Sequence, residues 1–214
     1  MTDFGCDRLA AAMTPYRSSS APLAVLLVLL SYAALVHSAS VLSVVFPSDL
    51  AAHFMHTNNT IPNHPAYFGR PPLKGPGVIG IVYHDPTNAD GCKSFATNMQ
   101  QASEAGATPV LAVVLRGQCN FTDKVMNAQA AGAAAAIVVN KDDASWPYTF
   151  MGDTGAGNGI TIGSTLISQT AGNLIIDAWR NLSATHNHVI MSLAFSLPKT
   201  NAPVRWGVWR SSNA

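Results

Sequence analysis

The sequence carries little charge, and this limits its partners. Charged residues make up only 11% of the 214 residues, and the formal net charge is +1 at pH 7. There is no basic run and no acidic tail. Nucleic-acid binding depends on clustered positive charge, so we expect no nucleic-acid partner. Because 48% of the residues are apolar, the chain after its first segment is predicted to fold as one domain with a substantial core.

Motifs for catalysis, cofactors and metals are also missing. The sequence contains no G-x-S-x-G, H-E-x-x-H, G-x-G-x-x-G or Walker motif. The glycine-rich stretch 152–159 precedes a predicted strand, whereas a phosphate-binding loop opens a helix, so it is predicted as a turn. We therefore predict no catalytic residue, no cofactor and no metal site. The polar groups that lack ligand spacing, interpreted as solvated loop residues, are His53 with His56, His186 with His188, and Asp142 and Asp143 with Asp153.

Asp, Glu, Lys and Arg are absent from residues 21–46, which form a long apolar run. Arg8 and Arg17 precede this run, and its central part has the length of a signal-peptide core. Small residues follow at Ser38 and Ser40, with the spacing that signal peptidase requires. The pattern is that of a secretory leader.

We interpret residues 1–40 as a signal peptide and residues 41–214 as the mature domain. The alternative is an uncleaved signal anchor, because the apolar run is long enough to span a bilayer. Both interpretations place the domain in the lumen of the secretory pathway or outside the cell. Contact with a membrane is expected only through the N-terminal apolar segment, and only if that segment is not cleaved.

Only three cysteines are present. Cys6 lies in the predicted leader, which leaves Cys92 and Cys119 as an even pair in an oxidising compartment. A disulfide between them would stabilise the fold by about 3 kcal/mol in the chain-entropy model. The alternative is two free buried thiols. An oxidising compartment also argues against Cys119 as a nucleophile.

Three N-x-[ST] sequons agree with a lumenal location, although such tripeptides also arise by chance. They make Asn58, Asn120 and Asn181 candidate N-glycosylation sites.

Hydrophobic patterns divide the rest of the chain into strands and helices. The segment 48–76 is rich in Asn and Pro and is predicted as an extended, turn-rich arm. Strands are predicted over 77–85, 109–116, 133–140, 160–168 and 188–197, and helices over 95–105 and 169–182.

Residues 110–140 combine a buried strand, a polar loop, a short helix and a second buried strand. Thr122 is predicted as the N-cap of the helix, Phe121 and Met126 as a hydrophobic staple, and Gly132 as the C′ residue. This order of elements predicts two parallel strands joined by a right-handed crossover.

The loop 116–121 admits two interpretations. Arg116 lies where a buried strand ends, Gly117 permits unusual backbone angles, and Cys119 can attach the loop to Cys92. In the first interpretation the loop only fixes the fold, with Arg116 capping a carbonyl or pairing with an aspartate. In the second, a rigid loop presents Arg116 and backbone amides to a peptide. The two interpretations are compatible.

Two adjacent motifs in this region are specific: R-G-Q-C-N-F, residues 116–121, and D-K-V-M-N-A-Q-A-A-G-A, residues 123–133. Together they resemble the R-G-x-C-x-F loop and following helix of the protease-associated (PA) domain, and the resemblance covers about residues 46–209. Among PA proteins the chain is most similar to the N-terminal PA domain of plant-type (BP-80-like) vacuolar sorting receptors, although Gly163 stands where that family has a proline. The segments that carry this second similarity are 81–95, 160–167 and 204–213.

The resemblance implies an α+β fold, a β-sandwich or open barrel of about seven strands with flanking short helices. It implies no chemistry of its own and no cofactor. It also implies a protein or peptide ligand, with vacuolar cargo propeptides as the candidates for a role in vacuolar sorting. The residues to which it assigns peptide binding are Arg116, Gly117, Gln118, Cys119, Asn120 and Phe121.

Two other roles are consistent with the same loop. PA-transmembrane-RING ubiquitin ligases share the R-G-x-C-x-F sequence, which would make this chain the ectodomain of a ligase. Subtilases and aminopeptidases carry PA domains as lids, which would make it an accessory domain of a protease. In each case we expect this segment by itself to be non-catalytic.

Overall fold

The computed structural model describes residues 40–69, 77–99, 108–185 and 187–195. The predicted leader up to residue 39, most of the predicted helix 95–105 and the receptor-like segment 204–213 lie outside these residues.

An eight-stranded mixed sheet and three helices organise the described part of the chain. The predicted α+β class is confirmed, with eight strands where the resemblance implied about seven. The strands are β1 (Ser40–Phe46), β2 (Thr60–Ile61), β3 (Asn63–Pro65), β4 (Val78–Tyr83), β5 (Val110–Leu115), β6 (Ala135–Val139), β7 (Gly163–Ile167) and β8 (Ile190–Phe195), and the helices are α1 (Ser48–Ala52), α2 (Phe121–Ala130) and α3 (Gln169–Ser183).

Four parallel strands form the centre of the sheet. The strand order is β2-β1-β8-β4-β5-β6-β7-β3, and β4 to β7 pair in parallel while the remaining pairs are antiparallel. Continuous apolar runs such as those of β5 and β6 are typical of strands covered on both faces. The predicted pair of parallel strands joined by a helix is confirmed as β5–α2–β6.

Alternate residues of the central strands enter two separate cores. Val113 packs in one core with Ile175 of α3. Val114, one residue later, packs in the other with Val125 of α2. Because successive side chains of a strand point to opposite faces, the two helices cover opposite faces of the sheet.

A short segment brings the two edges of the sheet together. β2 pairs with β1 and β3 pairs with β7, although only Pro62 separates β2 from β3. The buried side chain of Asn63 connects these strands: its Oδ1 accepts hydrogen bonds from Thr165 Oγ1 at 2.8 Å and from Ser40 Oγ, and its Nδ2 donates to the Ile61 carbonyl at 2.9 Å. The predicted arm over 48–76 is therefore wrong in part, since it contributes one helix and two strands.

The end of the long apolar run is a strand of this sheet. β1 lies between β2 and β8, and it buries Leu42 and Val44 while leaving Val41 and Val45 exposed. Residues Ser40–Phe46 thus belong to the folded domain. Within the described residues, no helix combines the length and apolar character needed to cross a membrane.

The N-cap of helix α2 lies two residues before the predicted one. Asn120 is the N-cap, and its backbone N–H donates to the Asp123 carboxylate at 3.3 Å. Thr122 lies inside the first turn and is fully buried, so the predictions of Thr122 as N-cap and of a Phe121–Met126 staple are wrong. Asn is as good an N-cap as Thr, and Asp at the third helical position supports it. Gly132, with φ of 90°, follows the helix end as predicted.

Candidate functional site

A depression of about 560 Å³ opens at the N-terminus of α2. The structure brings together all six residues that the sequence predicts for peptide binding, because they form one contiguous loop. A second segment, 152–154, completes the lining and was not predicted. The lining residues are Arg116, Gly117, Gln118, Cys119, Asn120, Phe121, Gly152, Asp153 and Thr154.

The second segment is an ordered turn with a recognisable sequence signal. Asp153 Oδ1 accepts hydrogen bonds from the backbone N–H groups of Gly155 and Gly157 at 2.8 and 2.9 Å. An aspartate that bonds the backbone two residues later is an Asx turn, and D-x-G is compatible with it. The glycines of this stretch predict a flexible turn, whereas the Asx signal indicates an ordered one.

A disulfide fixes the loop 116–121 to the turn after β4. Cys92 and Cys119 are bonded, with their Cα atoms 5.8 Å apart. Between the strand end and the disulfide, Gly117 and Gln118 both have positive φ, 127° and 66°. The left-handed conformation costs a non-glycine residue about 1 kcal/mol, so the covalent link and the loop's hydrogen bonds hold Gln118 in place.

A buried lysine lies beneath the disulfide. Lys124 of α2 is fully buried, and its Nζ donates to the carbonyls of Asp90 and Gly117, each at 2.6 Å. The same Nζ is 3.3 Å from Cys92 Sγ and 3.5 Å from Cys119 Sγ. Burial lowers the pKa of Lys124, and the negative charges of Asp90 and Asp123 oppose this shift. Lys124 thus joins both sides of the disulfide from below.

Sequence analysis did not identify Lys124 as a structural residue. A signal was available, because a cation in the first turns of a helix opposes the helix dipole and is unfavourable on an exposed surface. Its position there is explained by the two carbonyls that it bonds.

Two further side chains of α2 hold neighbouring loops. Asn127 Nδ2 donates to the Gly91 carbonyl at 2.9 Å. Gln129 Nε2 donates to the Gly159 carbonyl at 2.9 Å, and its Oε1 accepts from the backbone N–H groups of Thr161 and Ile162 at 2.6 and 3.2 Å. The K-V-M-N-A-Q part of the helix motif therefore supplies hydrogen bonds that position the loops around it.

Arg116 lies at the rim of the depression and is partly buried. Its Nη1 donates to Asn140 Oδ1 at 2.8 Å and to Thr149 Oγ1 at 3.1 Å, and its guanidinium carbon is 5.8 Å from the centre of the Phe121 ring. The hypothesis that Arg116 caps a backbone carbonyl or pairs with an aspartate is wrong, because its partners are the side chains of Asn140 and Thr149. Within the described residues, Nη2 and Nε make no hydrogen bond, which leaves donors for a guest.

A protein-family model matches the part of the chain that contains this loop. The PA domain model matches residues 75–175, which include the loop, the disulfide and all of α2. This chain contains a PA domain. The resemblance stated from the R-G-x-C-x-F loop and its helix is thereby confirmed.

Relatives of this PA domain fall into different kinds of protein. The chain is 30% identical to Vacuolar-sorting receptor 2 of Arabidopsis thaliana over 148 residues, 66% of this chain and 23% of that protein. It is 32% identical to the E3 ubiquitin-protein ligase RNF13 of Bos taurus over 150 residues, 70% of this chain and 38% of that protein. The chain thus spans between about a quarter and two fifths of these relatives.

A likeness to a solved structure is more distant. An aminopeptidase from Aneurinibacillus sp. strain AM-1 is 18% identical with a TM-score of 0.45, covering 73% of this chain and 30% of that chain. A likeness at this level indicates nothing about function.

A second depression, of about 470 Å³, lies where β1, β2 and β3 meet. His64 lies there with its ring centre 4.6 Å from that of Trp146 and 5.1 Å from that of Phe150. Burial lowers the pKa of His64, and a hydrogen bond with the Pro147 carbonyl opposes the shift. Its Nε2 is buried and makes no hydrogen bond within the part of the chain that the structure describes.

The asparagines of the three sequons are exposed. Asn58 lies in a turn with φ of 52°, Asn120 lines the larger depression, and Asn181 lies on α3. Glycosylation at each stays a prediction. Among the described residues, no group of three His, Cys, Asp or Glu side chains is arranged to hold a metal ion.

Proposed function

We propose that this chain is a non-catalytic PA domain that binds a protein or peptide in the lumen of the secretory pathway. The proposed role of this binding is the recognition of cargo for vacuolar sorting. The observation that carries the proposal is the loop 116–121, which a disulfide and a buried lysine hold rigid beside an open depression. Because the loop is already ordered, a guest does not have to pay the entropy of ordering it.

The lining of the depression suits a peptide backbone and its polar side chains. Arg116 and Asp153 both line the depression; Arg116 offers unused N–H donors, and Asp153 brings a carboxylate whose Oδ1 also accepts from its own turn. A peptide carries both carbonyl acceptors and amide donors, so both kinds of group have a partner in the guest. Similarity to Vacuolar-sorting receptor 2 supports cargo recognition as the setting.

The test is a pull-down of the full chain with immobilised vacuolar propeptides. Arg116→Ala is expected to weaken binding at least about tenfold, because a hydrogen bond to a charged group contributes about 1.5–3 kcal/mol. Arg180→Ala is the matched control, since Arg180 is an exposed arginine of α3 whose ion pair with Asp177 lies at the surface. Unfolding temperatures of all three proteins show whether a loss reflects binding or folding.

Two results would contradict the proposal. One is that neither the wild-type protein nor Arg116→Ala is retained on any immobilised propeptide. The other is that Arg116→Ala binds as tightly as the wild-type protein.

The similarity to RNF13 favours a second candidate function, the ectodomain of a PA-transmembrane-RING ubiquitin ligase. The coding sequence after Ala214 distinguishes the two candidates. A spanning helix followed by Cys/His zinc spacing indicates the ligase, whereas EGF-like cysteine patterns indicate the receptor. A lid domain of a protease stays a third hypothesis, and it predicts a protease domain encoded beside this segment.

A further inference from the structure

The sequon Asn120-Phe121-Thr122 lies inside the candidate binding site. Asn120 is exposed and lines the larger depression together with Arg116 and Asp153. The other two sequons do not contribute to that lining. A sugar chain on Asn120 would therefore start within the site, and a branched N-glycan is bulkier than the 560 Å³ depression.

The third residue of this sequon is inaccessible in the folded protein. Thr122 is fully buried, and its Oγ1 is 2.9 Å from Thr154 Oγ1. Asn120 also follows directly after Cys119, which the disulfide holds against Cys92. An enzyme that reads both Asn120 and Thr122 in an extended segment thus finds this sequon only before the loop has folded and the disulfide has closed.

We propose that Asn120 is an N-glycosylation site and that its glycan covers the depression, so that the modification decides whether the site binds peptide. The statement that the glycan controls peptide binding rests on the proposed function. In the modification, Asn120 Nδ2 loses one hydrogen and forms a bond to the anomeric carbon of an oligosaccharide. The donor is a lipid-pyrophosphate-linked oligosaccharide, and its lipid pyrophosphate leaves as that bond forms.

Occupancy is set by a competition between transfer of the sugar and folding of the loop. Two forms of the protein follow from a single sequence: a glycosylated form with a covered site and an unmodified form with an open one. Conditions that delay closure of the disulfide increase the first form.

The first experiment measures occupancy in the full chain, translated into microsomes or expressed in a eukaryotic secretory cell. Mass spectrometry of the peptide that contains Asn120 is expected to find the wild-type protein in both forms. Occupancy is expected to rise in Cys92→Ser, in which the disulfide cannot form. Because transfer precedes folding, this readout holds even if Cys92→Ser does not reach the native fold.

The second experiment compares the binding of the two forms to immobilised vacuolar propeptides after lectin separation. The unmodified wild-type form is the reference for affinity, and Asn120→Asp is the standard for the enzymatically deglycosylated form, since enzymatic release of an N-glycan leaves aspartate at that position. The glycosylated form is expected to bind at least tenfold more weakly than the unmodified form, and enzymatic release is expected to bring its affinity to that of Asn120→Asp. Asn181→Gln, which removes the sequon on α3, is the matched control and is expected to leave the affinity unchanged.

Different results overturn different parts. Absence of glycan on Asn120 in both the wild-type protein and Cys92→Ser excludes the modification. Equal binding by both forms excludes the covering of the site and leaves the proposed function standing. If neither the unmodified form nor Asn120→Asp binds any propeptide, the proposed function is overturned. The proposed control of binding by the glycan is then overturned as well.

Discussion

Replacing Lys124 with methionine tests what holds the loop beside the depression. The ammonium group is fully buried and donates to two backbone carbonyls, those of Asp90 and Gly117. A buried acceptor that loses its donor costs about 1–3 kcal/mol. Methionine keeps much of the side-chain volume and relieves the cost of burying a charge, which offsets part of this loss. We expect Lys124→Met to lower the free energy of unfolding by about 2–3 kcal/mol.

Urea unfolding of the oxidised protein measures this loss. With a slope of about 2–3 kcal/mol per molar urea, the midpoint is expected to fall by about 1 M while the slope stays the same. Lys141→Met is the matched control, because Lys141 is exposed, and its effect is expected to stay within about 0.5 kcal/mol. If Lys124→Met is as stable as the wild-type protein, the two hydrogen bonds do not hold the loop and the reasoning is refuted.

The pH dependence gives a second reading of the same substitution. Burial lowers the pKa of Lys124, so the folded protein binds fewer protons than the unfolded chain in a window below the ordinary lysine pKa of about 10.4. The contribution of Lys124 to the free energy of unfolding therefore rises with pH through that window, and it decreases again as the pH falls. Lys124→Met lacks the group, so the difference in unfolding free energy between the two proteins is expected to grow as pH rises towards the ordinary lysine pKa. A constant difference would contradict the lowered pKa.

Two other substitutions test the packing of α3 and the contact between the two edges of the sheet. Gly172→Ala would place a Cβ 2.1 Å from a methyl carbon of Val139 in β6, so thermal unfolding is expected to show a loss of about 1–3 kcal/mol in the free energy of unfolding. Gly152→Ala is the control, because Gly152 has open space around it, and it is expected to leave the stability unchanged. Equal unfolding temperatures for the two variants would contradict this. Burial lowers the pKa of His64, so wild-type stability is expected to fall as pH drops below about 6.5, and His64→Phe to show a flatter profile. A His64→Phe profile as steep as that of the wild type would contradict the argument.

The central part of the fold was predictable because its residues are periodic and contiguous. The apolar run 110–115 is long enough to indicate a strand covered on both faces, and α3 shows a helical stripe with Ser168 at its N-cap. The loop 116–121 was predicted as one site because its residues are neighbours in sequence.

Other features depend on contacts between distant residues, which one sequence does not reveal. β2 and β3 have two and three residues, too few to show a period, and Asn63 closes the sheet through Thr165, 102 positions away. The segment 152–154 reaches the site through contacts with residues about 30 positions earlier, such as Thr122 with Thr154. Lysine usually indicates a solvated helix face, and the position of Lys124 near the helix N-terminus speaks against such a face without naming the two carbonyls that it bonds.

Hydrogen–deuterium exchange of the full chain, with and without the vacuolar propeptide that binds it best, tests the central claim most directly. The claim is that the rigid loop 116–121 and the turn 152–154 form the surface that receives the peptide. We expect slower exchange at the backbone amides of these two segments when the peptide is present, and little change around His64. Protection confined to the depression around His64 and Trp146, with no change in the loop, would contradict it.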